Sequence, residues 1–320
     1  MLKTAFVLET DNLHGGGADP LRVSKSLARL LAHLAKDLAT VDEVVVTHEG
    51  LVGEDDLARA AGRDVRFVRV PDATGYYESK NLGFAATSAD VVAFGDADCW
   101  PDPEWLSHLF APFADPNVEV VAGRTTYRRD LLGTAASTLD FLYYTDPTTP
   151  GCVRNFYANN VAFRRAAFAD RRYPEGAMYR GQCQLLGLRL ASDGIAIHFE
   201  PAARTIHRFP DHTRQLLGLR IRRGQDTAAF SPHLARAFAP RWPLLVNPAT
   251  VLGVRFVKSV GSMDALDMPP VRGLRRAACL GAITGLSLVD AVGALAGSLG
   301  WQASRESLAY HGDGDGLGSS

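Results

Sequence analysis

Short apolar runs alternate with leucine-bearing stretches of helical period along the N-terminal third of the chain. Residues 4–8 (TAFVL) form an unbroken apolar run that gives way to ETDNLHGGG, the pattern of a buried strand feeding a polar, glycine-rich loop. Residues 20–39 place Leu27, Leu30, Leu31, Leu34 and Leu38 on one helical face. Residues 44–46 predict a second strand, 55–61 a short helix and 65–70 a third strand before PDATG. A loop and helix over 75–89 then lead to VVAFGDADC at 91–99, the fourth strand. This alternation implies an α/β fold with a mainly parallel sheet flanked by helices, and such sheets bind ligands beyond the carboxyl ends of their strands.

Past residue 240 the pattern changes. Residues 251–260 and 277–300 are rich in Ala, Gly, Leu and Val, and the second run carries Asp290 as its only charge over 24 residues. A spanning helix needs roughly 20 mostly apolar residues, so length permits one, although five glycines and an aspartate leave the run weakly hydrophobic. Arg272, Arg275 and Arg276 precede it, as basic residues do beside anionic headgroups or on a cytoplasmic flank. Two readings are open: a helical hairpin packed on the main domain, or contact with a membrane surface, interfacial or spanning. The expected segmentation is a main domain over 1–238, a C-terminal helical extension over 239–310 and a flexible tail over 311–320.

Composition narrows the class. With 320 residues, 47% of them hydrophobic, the chain can bury a sizeable core. Lys and Arg (34) nearly balance Asp and Glu (35), which argues against nucleic acid as a partner and makes any anion site a local feature. Cys99, Cys152, Cys183 and Cys279 include no CxxC pair, a pattern that fits a reducing compartment. The apolar run before Glu9 is too short for a signal-peptide core, so the expected location is cytoplasmic, associated with the inner face of the cell membrane.

The fourth strand ends in chemistry. In an extended segment residues i and i+2 project to one side, so Asp96 and Asp98 converge while Ala97 faces away. Paired carboxylates repel unless a cation lies between them, and hard divalent ions such as Mn²⁺ or Mg²⁺ take oxygen ligands and often share substrate phosphates. The competing reading of Asp-x-Asp after a strand is turn chemistry, in which the side chains bond local amides.

The segment GYYESKNLGFAATSADVVAFGDADCWPDPEWL resembles the nucleotide-sugar half of family 2 glycosyltransferases: Lys80, Asn81 and Gly83, then Asp96 and Asp98, then Pro101, Pro103, Trp105 and Leu106 follow that family's order. The resemblance implies a GT-A fold, Rossmann-like, with Lys80 near a nucleotide diphosphate and the Asp pair binding metal and donor. It extends to NFYANNVAFRRAAF and to a segment closing on His207, a further metal or phosphate ligand. Arg222 and Arg223 fall where the family places arginines over the pyrophosphate. Glu9, Asp11 and Glu49 fall at nucleotide-contact positions after the first and second strands.

Two departures stand out. Where the family opens a helix with Gly-Glu-Asp, this chain has Gly181, Gln182 and Cys183, and an inverting transfer needs a base for the acceptor hydroxyl. Glu175 is the nearest acid upstream, so Glu175 and Cys183 are the candidate catalytic residues. Thr47, His48, Glu49 and Gly50 replace the family's Asp-Asp-Gly-Ser uracil contact. The leading expectation is a metal-dependent transferase moving a sugar from a nucleotide-diphosphate donor to a saccharide or lipid-linked acceptor, such as an envelope glycan. A donor-binding scaffold without turnover is the alternative. A haloacid-dehalogenase-like phosphatase fits poorly, because Cys99 and Trp100 follow the pair in place of Gly-Thr.

Overall fold

The unbroken apolar runs become strands covered on both faces, which is why they lack period-two alternation. The computed structural model describes residues 2–14, 19–72, 74–175, 178–263 and 271–301. The expected tail over 311–320 lies outside the described residues. In chain order the elements are β1 (Thr4–Glu9), α1 (Asp11–His14), α2 (Pro20–Leu38), β2 (Glu43–His48), α3 (Glu54–Ala61), β3 (Arg66–Arg69), α4 (Tyr76–Ala85), β4 (Val91–Asp96), β5 (Cys99–Pro101) and α5 (Trp105–Phe110). There follow β6 (Val120–Thr126), α6 (Leu131–Asp140), β7 (Cys152–Val153), β8 (Asn160–Arg164), α7 (Arg165–Ala169), α8 (Gln182–Ser192), β9 (Ile197–His207), α9 (Thr213–Phe238), α10 (Pro248–Gly261) and α11 (Gly273–Ser298).

The described strands form one sheet in the order β3-β2-β1-β4-β8-β6-β9-β5, with β7 on β9. From β3 to β4 every pairing is parallel, as the alternating pattern predicts. Beyond β4 the sheet is mixed: β8 runs antiparallel to β4 and β6, and β5 antiparallel to β9. Those partners are set by long-range register, which local periodicity does not encode. One face carries α2 and its leucines against Phe6, Leu8, Val44 and Val46; the other buries Val7, Val45 and Phe94 with Phe84, Leu186 and Leu190. A Cβ at Gly83 would run into Val7, so the absence of a side chain there lets α4 lie close on β1 and brings Lys80 to the end of β4.

The C-terminal helices pack on this frame. A Cβ at Gly224 or Gly293 would strike the backbone of the facing helix, so α9 and α11 meet main chain to main chain. Met263, Cys279, Ile283 and Leu286 share a third apolar cluster with Tyr127, Phe141 and Phe209. Beside it lies a buried ionic network. Arg220 on α9 bonds Asp140 at the end of α6 and Asp290 in α11, with Nε 2.7 Å from Oδ1 of Asp290. Arg255 of α10 reaches Asp140 at 3.3 Å and Asp290 at 3.7 Å. The hairpin reading therefore holds for one face of α10 and α11.

Burial alone would push the Asp140 carboxyl up, but the charges of Arg220, Arg223 and Arg255 outweigh it and lower its pKa from 3.8 to about 2. Because the folded value is depressed, its contribution of about 2 kcal/mol is present above pH ~4 and is lost as pH falls towards ~2. Urea unfolding should show that stability loss in the wild type and a correspondingly shallower acid limb in Asp140→Asn; parallel acid limbs would contradict it.

Candidate active site

β4 ends at Asp96, and the next two residues form a turn rather than continuing the strand. The convergence of the two aspartates therefore comes from how the turn is pinned. The amide of Ala97 donates to the Glu9 carbonyl (2.9 Å), and the amide of Arg208 donates to the Asp98 carbonyl (2.8 Å). Pairing of Cys99 with His207 across β5 and β9 then sets the imidazole beside Asp98. Ligand atoms of Asp96, Asp98, Cys99 and His207 all lie within 4.8 Å of one another.

The two aspartates have different surroundings. Asp96 receives Lys80 Nζ (2.6 Å) on Oδ1 and the Tyr76 hydroxyl on both oxygens (3.0 and 2.8 Å), while Lys80 also donates to the Gly95 carbonyl (2.9 Å). Asp98 Oδ2 is buried with no hydrogen-bond partner, and His207 Nε2 stands 3.6 Å from it. His207 Nδ1 lies 2.9 Å from the Arg208 carbonyl, which can only accept, so Nδ1 carries a proton and Nε2 is the nitrogen that faces Asp98. Burial raises the Asp98 carboxyl, opposed by His207 and reinforced by Asp96.

These groups fit a hard divalent cation: an orphaned carboxylate oxygen and the Nε2 of an imidazole, separated by a distance two ligands at roughly 2.1 Å from one ion can span. Cys99 fits less well, because burial and the charges of Asp98 and Asp96 hold its thiol protonated. A third carboxylate lies alongside. Glu9, opposite Asp96 in the β1–β4 register, is buried; desolvation and the Asp96 charge raise its pKa well above the usual value, and its Oε1 has no hydrogen-bond partner.

In front of this group lies a small, open cavity of about 50 Å³ whose lining includes Asn12, Tyr76, Tyr157, Arg180, Cys183, His207 and Arg223 as well as Asp96. Arg180 stacks 3.9 Å from the Tyr76 ring centre and bonds the Asn12 side chain, with Asp11 at 3.4 Å. Its loop is held by Asp226, which accepts from the amides of Tyr179 (2.7 Å) and Arg180 (2.9 Å).

Several expected site residues lie elsewhere. Lys80 is fully buried against Asp96 and is absent from the cavity wall, so it holds the carboxylate rather than facing a diphosphate. The amide of Asn81 is bound to both backbone atoms of Tyr173 and so anchors that loop. Glu175, two residues further on, is exposed and outside the lining. Arg222 is buried beside the Tyr179 ring at 5.0 Å, and half-buried Glu49 follows β2; neither lines the cavity, whereas Arg223 does. Cys183 does line it, but its sulfur lies 3.3 Å from the Tyr77 hydroxyl and burial raises its pKa, so it is a protonated thiol. Asn12, from the nucleotide-contact stretch expected after the first strand, lines the cavity; Tyr76 and Arg180 were missed. Tyr76 had a sequence signal, since it precedes Lys80 by one helical turn; Arg180 had none.

Residues 22–172 match the sequence model of glycosyl transferase family 2. Pre-mycofactocin glycosyltransferase of Mycobacterium tuberculosis is 28% identical over 244 residues, 73% of this chain and 49% of its own length, so the chain spans about half the length of that curated relative. Glycosyltransferase AglE of Haloferax volcanii is 28% identical over 102 residues, 31% of this chain and 34% of its own. Among solved structures, mannosyltransferase PcManGT of Pyrobaculum calidifontis, determined with GDP-Man and Mn²⁺, superposes with a TM-score of 0.58 at 16% identity, covering 92% of this chain and 87% of that one. The shared architecture is the GT-A fold.

Titration with Mn²⁺ followed by calorimetry should show one site that Asp98→Ala or His207→Ala weakens by about tenfold or more. Cys99→Ser should leave it intact. Equal affinity in all variants would place the ion elsewhere.

Proposed function

We propose, from the premise that residues 22–172 belong to glycosyl transferase family 2, that the protein transfers a sugar from a nucleotide-diphosphate donor to an acceptor hydroxyl with inversion. The observation that carries this reading is the unpartnered Asp98 oxygen 3.6 Å from His207 Nε2, beside an Asp96 that Lys80 and Tyr76 engage on the cavity wall. Asp98 and His207 would hold Mn²⁺ or Mg²⁺, which when bound supplies positive charge to the departing diphosphate. Lys80 and Tyr76 would hold the Asp96 carboxylate in place on the cavity wall, towards the donor. Arg223 and Arg180 present guanidinium groups on the cavity wall, suited to phosphate oxygens. Glu9, at the end of β1, and Asp11, at the start of α1, would contact the nucleoside.

The division at residue 238 into a transferase region and a helical extension belongs to the same proposal. So do a saccharide or lipid-linked acceptor, an envelope glycan among them, and a place at the inner face of a membrane.

One observation favours a second reading, a donor-binding relative without turnover. Among the described cavity residues Asp96 is the only carboxylate, and it is engaged by Lys80 and Tyr76; α8 opens with Gln182 and Cys183, and neither is a competent base. Release of nucleoside diphosphate from a panel of nucleotide sugars, with Mn²⁺ and candidate acceptors, separates the two. Transfer that falls by about a hundredfold in Asp98→Ala supports the enzyme. Donor binding with no turnover in any mixture supports the scaffold.

A further inference from the structure

The outer face of α11 is unlike a water-exposed helix. Leu274, Leu288, Val292, Leu295 and Leu299 are 61% to 91% exposed, and the last four fall on one face by their spacing. The most apolar window of the helix has a mean hydropathy of 1.8, yet only 33% of it is buried. From Ala277 to the end of the helix the sole charge is Asp290, on the opposite face. A second apolar group stands nearby in sequence: Trp242, Leu244 and Leu245, each at least 65% exposed, in the turn that leads into α10.

Spanning is disfavoured by the inner face. Asp290 is tied to Arg220 inside the ionic network, and Gly293 touches the backbone of α9. Pulling α11 into a bilayer would strip Asp290 of its partner, and separating a buried pair costs about 3–5 kcal/mol. A helix some 26 residues long, about 39 Å, held on the module by one face and apolar on the other, has the form of an in-plane anchor.

Charge selects the occupant. Among the described residues of 239–301, Arg241, Lys258, Arg272 and Arg275 are exposed and the acid Asp290 is buried; the sequence of the whole stretch adds Asp264 and Asp267 against six Lys and Arg. Basic residues beside exposed tryptophan and leucine match an anionic lipid surface. A second copy of this chain would bring the same basic groups against one another.

We propose that the C-terminal helices dock in plane on an anionic lipid surface through the outer face of α11 and the Trp242–Leu245 turn. This deepens the reading of a membrane-side acceptor, but it is tested without donor or acceptor, so either can fail alone.

The test is flotation of the full chain with phosphatidylcholine vesicles with and without phosphatidylglycerol, read also by quenching of tryptophan fluorescence with brominated lipid. Flotation only with phosphatidylglycerol, reversed by salt, with quenching reduced in Trp242→Phe, supports the proposal. Leu244→Glu/Leu245→Glu and Leu288→Glu/Leu295→Glu should each weaken binding by about tenfold or more while Mn²⁺ binding at Asp98 and His207 is kept. That retained binding reports an intact fold. Failure of the wild type to float, resistance of bound protein to alkaline carbonate extraction, or a lipid-free dimer abolished by the same variants would each overturn it.

Discussion

Three carboxylates, Glu9, Asp96 and Asp98, are buried together at the carboxyl end of the sheet, and the site depends on how their charge is compensated. Lys80 and Tyr76 answer for Asp96. Glu9 is answered in part by the Asp11 amide, at 2.9 Å, and retains one oxygen without a partner. Asp98 keeps one buried oxygen without a hydrogen-bond partner, 3.6 Å from His207 Nε2, a spacing that a divalent cation between them would satisfy. The fold serves that arrangement. Parallel pairing of β1 with β4 sets Glu9 opposite Asp96, and antiparallel pairing of β5 with β9 sets His207 next to Asp98.

Much of this was legible in the chain. The apolar runs at residues 4–8 and 91–96 located the central strands, because strands buried on both faces need continuous apolar sequence. The Asp-x-Asp spacing and the distant His207 picked out residues whose ligand atoms the fold brings within 4.8 Å of one another. The reason for the convergence was different: the two acids meet across a turn pinned by β1 and β9, not along an extended strand. Lys80 was found but its orientation was not, since nothing in a sequence says whether a lysine one turn into a helix faces solvent or a buried acid. Arg180 escaped notice because its place at the cavity is fixed by Asp226, 46 residues away, and by stacking on Tyr76.

The C-terminal region shows how composition alone can mislead. Its runs of Ala, Gly and Leu read equally as a membrane segment or a packed hairpin, and the structure separates the faces. Gly293 and Asp290 lie inward, against Gly224 and Arg220, where small size permits backbone contact and the ion pair fixes register. The outward face is left apolar and uncharged. The same α9 that anchors α11 through Arg220 also presents Leu219 and Arg223 to the cavity, so the anchor and the candidate active site share one helix.

The most direct test of the account is a crystal grown with Mn²⁺ and a nucleoside diphosphate, with anomalous scattering measured at the manganese edge. The account predicts a single strong peak between the Asp98 carboxylate and His207 Nε2, with Asp96 still bound to Lys80 and Tyr76. A peak elsewhere, or none there while the diphosphate occupies the cavity, would contradict it.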